Sequence, residues 1–162
     1  MRVIGLGWSL LPRYSAPMFA DLLQRLLAPA PTRLPDTEAH LALAALMVRI
    51  ARSDGLYAAE EVERIDRVLM SRHGLTAFDA ARLRADAEDL ESAAPDTVRF
   101  TKALKSAVPL EERAGLVQAL WSIALADGVR DEGEDQMLRL LANLLGLSDV
   151  ENSQARQRAI DE

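Results

Sequence analysis

The chain has 162 residues, 49 % of them apolar and only 4 % aromatic, with no cysteine and a formal net charge of -6 at a sequence pI near 5.0. That apolar content is too high for a disordered chain, and the lack of cysteine excludes a disulfide scaffold, a zinc-thiolate site and thiol catalysis. The acidic balance repels phosphate backbones and argues against nucleic acid as a partner.

Residues 1–17, "MRVIGLGWSLLPRYSAP", loosely echo a secretory signal, with Arg2, a short apolar run and the small residue Ala16. Two glycines interrupt the run, Pro12 and Arg13 end it, and Pro17 would follow the cleavage point. We read these residues as an N-terminal extension, or as a mis-assigned start upstream of Met18, and leave them out of the fold. No apolar stretch reaches the ~20 residues of a spanning helix, and the expected location is the cytoplasm.

From Phe19 to Leu27, apolar residues recur at helical spacing, and Pro29 and Pro31 end that helix. Asp36 or Thr37 can cap the next one, "AHLALAALMVRIARSD", whose apolar residues run nearly all round and predict a central, buried helix. Gly55 ends it. "AEEVERIDRVLMSRHG" then carries a one-sided stripe of Val62, Ile65, Leu69 and Met70, with charge on its other face. Gly74 closes that helix, and Thr76 with Asp79 opens another that turns Ala80, Leu83, Ala87 and Leu90 inward. A helix after Pro95 places Phe100, Leu104 and Val108 inside. Pro109 begins "PLEERAGLVQALWSIALAD", again apolar all round in its second half, with Trp121 in the core. "DEGEDQMLRLLANLLG" stripes Met137, Leu138, Leu141, Leu144 and Leu145 along one side. The last helix, from Ser148 to about Ile160, is weakly apolar and is expected to fray.

Two stretches repeat one another. "LMVRIARSDGLYAAEE" (46–61) aligns with "LWSIALADGVRDEGE" (120–134), and "GLTAFD" (74–79) with "GLSDVE" (146–151). Each half reads as a buried helix, an Asp-Gly corner, an amphipathic helix, Gly-Leu, a Ser/Thr cap and a further helix. Gly55, Gly74, Gly128 and Gly146 stand just past helix ends, where a left-handed backbone costs a residue with a Cβ about 1 kcal/mol or more. Leu75 and Leu147 supply the apolar contact that accompanies such caps. The expected fold is all-α: one helical bundle of seven to eight helices with an internal pseudo-twofold repeat, over residues 18–150, with 151–162 as a C-terminal helix end or tail.

Together, "ARSDGLYAAEE" and "ALADGVRDEGE", each followed by a leucine-striped helix and "GL[ST]", resemble the tellurite-resistance TerB-like family. The same fold occurs in the N-terminal domain of a membrane-anchored DnaJ-type co-chaperone. These 162 residues hold neither a His-Pro-Asp triplet nor a spanning apolar stretch, and a complete co-chaperone of that kind is not expected here. The resemblance implies an all-helical module of bacterial stress and tellurite-resistance systems whose acidic corners bind a divalent cation, Ca²⁺ or Mg²⁺. Carried over, the ligands are Asp54 and Glu61 in the first half, and Asp127, Asp131 and Glu134 in the second. Ala58 departs from the family pattern, which often has an acidic or small capping residue there, and this weakens the first corner as a donor.

Capping competes with cation binding as the reason for these acids. Asp131 and Glu134 have the spacing of a capping box, and Glu132 and Asp135 suit a helix N-terminus. Asp54 and Asp127 lie instead at helix C-termini, where a negative charge is unfavourable and needs a partner: Arg49, Arg52, Arg130 or a cation. Neither corner has the alternate-residue acid spacing of an EF-hand loop, and one corner offers three carboxylates at best. His40 and His73 are far apart in sequence, and a partial positive charge on His73 would suit the helix end it occupies. Arg99, Lys102 and Lys105 form a basic stripe suited to an acidic partner or an anionic lipid surface.

With no nucleophile–base pair, phosphate loop or histidine cluster, the chain is expected not to be an enzyme. It reads as a protein-interaction module, cation-responsive or else an ion-independent adaptor. An exposed apolar face on the first helix would point to a homodimer. A small hydrolase would require a pocket holding Asp54 or Asp127.

Overall fold

The computed structural model describes residues 16–27, 36–53, 55, 57–94, 96–105, 108–126, 128 and 132–162. Eight α-helices lie among them: α1 (Ala16–Leu26), α2 (Asp36–Ala51), α3 (Ala59–His73), α4 (Ala77–Ala93), α5 (Thr97–Lys105), α6 (Arg113–Ala124), α7 (Glu132–Leu144) and α8 (Asp149–Ile160). A 3-10 turn, Leu110–Glu112, leads into α6 behind Pro109. No strand occurs among the described residues.

Leu41 to Val48 are eight consecutive buried residues, so α2 has no solvent face over two turns. From Leu120 to Ala124, α6 is likewise closed on every side. A helix of this kind must be covered all round, and the layout follows from that need. In the first half α4 packs most extensively on α2, with α3 against both; in the second half α8 does the same on α6, with α7 against both. The halves meet where α2 packs on α6, and the cross-contacts of α3 with α6 and of α7 with α2 exchange under the repeat. The bundle is all-α and internally duplicated, as the sequence predicts.

The duplication holds at the level of single hydrogen bonds. Leu75 N–H reaches back to Met70 O, and Leu147 N–H to Ala142 O, the six-to-one bond of a helix ended by a left-handed residue. Gly74 and Gly146 take that conformation, with φ of 65° and 92°. Thr76 and Ser148 then cap the following helices, accepting from the N–H of Asp79 and of Glu151.

Some positions differ from the simple stripe. Met70 is exposed and Val62 only half-buried, so Ile65 and Leu69 carry the inward face of α3. On α1, Phe19, Leu22 and Leu23 are buried, and the helix packs on α4. Its apolar stripe therefore lies inside the fold and gives no argument for a dimer.

The final helix is held more firmly than its weak stripe suggests. Its capping box is complete, because Glu151 accepts from the Ser148 N–H while Ser148 accepts in return. Buried Trp121 donates from Nε1 to Asn152 Oδ1 at 2.9 Å, and the Arg156 guanidinium lies 5.3 Å from the centre of the Trp121 ring. Asn152→Ala leaves that indole N–H buried without its acceptor. It is expected to lower stability by about 1–3 kcal/mol, measured by urea unfolding; a loss below a few tenths would show that water replaces the contact.

Candidate functional site

The two Asp-Gly corners are built by the same bonds. After α2, Arg52 N–H bonds Val48 O, Ser53 N–H bonds Ile50 O, and Gly55 N–H bonds Arg52 O. After α6, Leu125 N–H bonds Trp121 O, Ala126 N–H bonds Ile123 O, and Gly128 N–H bonds Leu125 O. Gly55 and Gly128 both have positive φ, 83° and 75°, and no atom stands within 4 Å of an added Cβ at either. The glycines are needed for backbone conformation alone.

Glu61 and Glu134 occupy the third position of α3 and of α7, and both are buried, at 0 % and 2 % exposure. A glutamate there reaches back to the start of its helix. Glu61 Oε1 accepts from the Ala58 N–H at 3.2 Å. Ala58 has no side-chain oxygen to return the bond, so the first corner has half a capping box. The Oε2 atoms of both glutamates are buried as well. A carboxylate taken from water costs several kcal/mol unless hydrogen bonds or opposite charge offset it, and the fold brings one inside at two matched places.

Asp54, Asp127 and Asp131 lie outside the described residues. Each corner's described part thus contributes one of the expected ligands, Glu61 or Glu134. Among the described residues no three His, Asp or Glu side chains are close enough to hold a metal ion. The donors that the sequence assigns to the corners are hard carboxylate oxygens, a set that fits Ca²⁺ or Mg²⁺ and not a thiophilic metal.

The corners differ in their cationic surroundings. At the first, Arg49 Nε and Arg52 Nη1 pair with the two oxygens of Glu91 on α4, at 3.1 and 2.7 Å, and Arg49 also reaches the Glu91 carbonyl. Tyr57 donates to Glu88 at 2.7 Å, with Arg52 over its ring, and Arg84 ties Glu88 to Asp66. Burial and the Glu88 carboxylate push the Tyr57 hydroxyl well above its ordinary value. In the repeat, Arg49 and Arg52 become Ser122 and Leu125. The second corner lacks both of those guanidinium groups and has more carboxylates nearby, since Glu132 and Asp135 precede and follow Glu134.

Two further arrangements arise only when the helices pack. The His40 and His73 rings stack at 3.6 Å between centroids and 18° between planes, fixing α2 against the end of α3. His73 is 8 % exposed, and burial, with the charges of His40 and Arg72, pushes its imidazole down to about 3. Burial therefore outweighs the helix end, and His73 is neutral where a partial positive charge was expected. The second arrangement is a groove between α3 and α6 lined by Arg64, Arg67 and Arg72. The basic stripe on α5 presents Lys102 and Lys105 to solvent; the Arg99 side chain lies outside the description.

These features define a class: a duplicated all-α bundle with an acidic corner after each of two buried helices. Residues 40–157 match the sequence model of the family described as Tellurite resistance protein TerB. The match covers well over half the chain, which belongs to the TerB family. Neither a curated protein nor a solved structure matches it.

A pH dependence follows from His73. The unfolded chain takes up this proton near pH 6.5 and the folded chain only near pH 3. This contribution is fully present above pH 6.5, and stability falls by up to about 1.4 kcal/mol per pH unit as pH drops between those values. Urea unfolding above and below pH 6.5 should show this slope in the native chain and a shallower one in His73→Phe. Equal slopes would contradict the assignment.

Proposed function

We propose that this TerB-family chain is a non-enzymatic, cytoplasmic interaction module of a stress or tellurite response whose Asp-Gly corners bind a divalent cation, Ca²⁺ or Mg²⁺, weakly. The observation that carries the reading is the burial of Glu61 and Glu134 at matched positions beside the two corners. A cation held with Asp54 at one corner, or with Asp127 and Asp131 at the other, would place a favourable charge beside a buried carboxylate. Few protein ligands per corner mean that water and backbone carbonyls complete the shell, which keeps affinity low. The second corner is the stronger of the two, because Ser122 and Leu125 stand where the first has Arg49 and Arg52.

An ion-independent adaptor or co-chaperone-like binding domain is the competing reading, favoured by the bond from Ala58 to Glu61. That bond gives the glutamate a capping role without any metal.

Titration with Ca²⁺ or Mg²⁺, followed by melting temperature and amide spectra, separates the two. A site filled at ten times its Kd adds about 1.4 kcal/mol, or about 3–6 °C for a chain of this size. Asp127→Asn should remove most of the shift, and Asp54→Asn with Asp127→Asn all of it. Unchanged melting and spectra at millimolar cation would leave the adaptor reading.

A further inference from the structure

Neither Glu61 nor Glu134 lines the groove between α3 and α6. Arg64, Arg67 and Arg72 project from one side of α3, with Ser71 and Val68 between them. Their spacing of three, five and eight residues keeps them on neighbouring rows of the helix, over about 12 Å of its length. Opposite, α6 presents Gly115, Gln118, Ala119 and Ser122. Gly115, Ala119 and Ser122 are small enough to leave a cavity of about 540 Å³, within the ordinary range of ligand clefts. Arg72 lies over the glycine: its Nη1 is 3.7 Å from where a Gly115 Cβ would stand.

The guanidinium groups are available for a ligand. Arg64 Nη1 donates to Ser122 Oγ at 2.7 Å, which fixes its direction while leaving its charge unneutralised. Among the described residues none of the three arginines forms an ion pair, whereas Arg25, Arg49, Arg52 and Arg84 all do. In a chain of net charge -6, three unpaired arginines in one concave place stand against the general field.

The lining favours carboxylates. A guanidinium fork matches a carboxylate in bidentate fashion. Glu162 of this chain is among the residues that line the groove, so an acidic residue already stands there. Among the described residues no aromatic ring lines the groove for a base to stack on, and the acidic molecule as a whole repels an extended phosphate backbone. Val68 and Ala119 give methylene stems an apolar wall, and Ser71 and Gln118 give a peptide backbone hydrogen-bonding partners. We propose that this groove binds an acidic peptide segment of a partner protein, with Arg64, Arg67 and Arg72 each taking a carboxylate. The inference does not rest on cation binding at the corners.

Fluorescence anisotropy with a fluorescein-labelled hexaglutamate peptide, at low ionic strength and in EDTA, tests it. The EDTA keeps the outcome independent of the corner reading. Saturable binding is expected, weakened by added salt and at least about tenfold weaker in Arg67→Glu with Arg72→Glu. Gly115→Glu is a second variant: it places a carboxylate on the groove floor, replaces glycine by a better helix former, and should weaken binding similarly. Lys102→Glu with Lys105→Glu should leave binding intact. The proposal is overturned by absence of saturation, by affinity unchanged from the native chain in both groove variants, or by loss of binding in the lysine variant. It is overturned too if inorganic tripolyphosphate or anionic phospholipid vesicles bind through the arginines while the peptide does not compete.

Discussion

Two helices with stretches that have no solvent face, Leu41–Val48 of α2 and Leu120–Ala124 of α6, determine this molecule. α2 and α6 can each be stable only if neighbours cover every side, and neither has enough neighbours within its own hairpin. Each therefore lies against the other, and the remaining helices complete the two jackets: α3 and α4 on one, α7 and α8 on the other. The pseudo-twofold repeat is thus an energetic arrangement as well as a sequence pattern. Where α6 is not fully enclosed, at Gly115, Gln118 and Ala119, the gap is the arginine-lined groove.

The corners follow from the same constraint. A buried helix must end abruptly so that the next can return along its side, and a left-handed glycine makes that reversal. The returning helix begins close to the core, which forces its third residue inward. Glutamate at that place does two things at once: it caps the helix and brings a carboxylate into a region poor in water. The first corner also carries Arg49, Arg52 and Tyr57, tied to Glu91 and Glu88. The second has kept its acids and lacks the two arginines. Divergence between the halves is therefore electrostatic, while the backbone bonds of the described turn residues match in both.

Much of this can be read from residue order. Period and glycine placement located the helices, because amphipathic spacing and left-handed caps are local properties. The inward residues of α4 and α5 were identifiable for the same reason. The corner acids were visible as a pattern, yet the burial of Glu61 and Glu134 was not, since burial depends on what packs above them. The His40–His73 stack joins residues from different helices and has no local sign. Nor has the bond from Trp121 to Asn152, which turns a weakly apolar segment into a docked helix. The groove needed both faces: arginines on α3 look like an ordinary solvated surface until α6 brings small residues opposite. Met70 shows the converse error, a residue near the edge of a stripe that the packing leaves outside.

Native-state amide hydrogen exchange tests the shared core most directly. If α2 and α6 are buried as one unit, amides at Leu43–Met47 and at Leu116–Leu120 should exchange only through global unfolding, with one free energy and one denaturant dependence. Two plateaus separated by more than about 1 kcal/mol, one for each half, would mean that the hairpins unfold independently. That result would contradict the account.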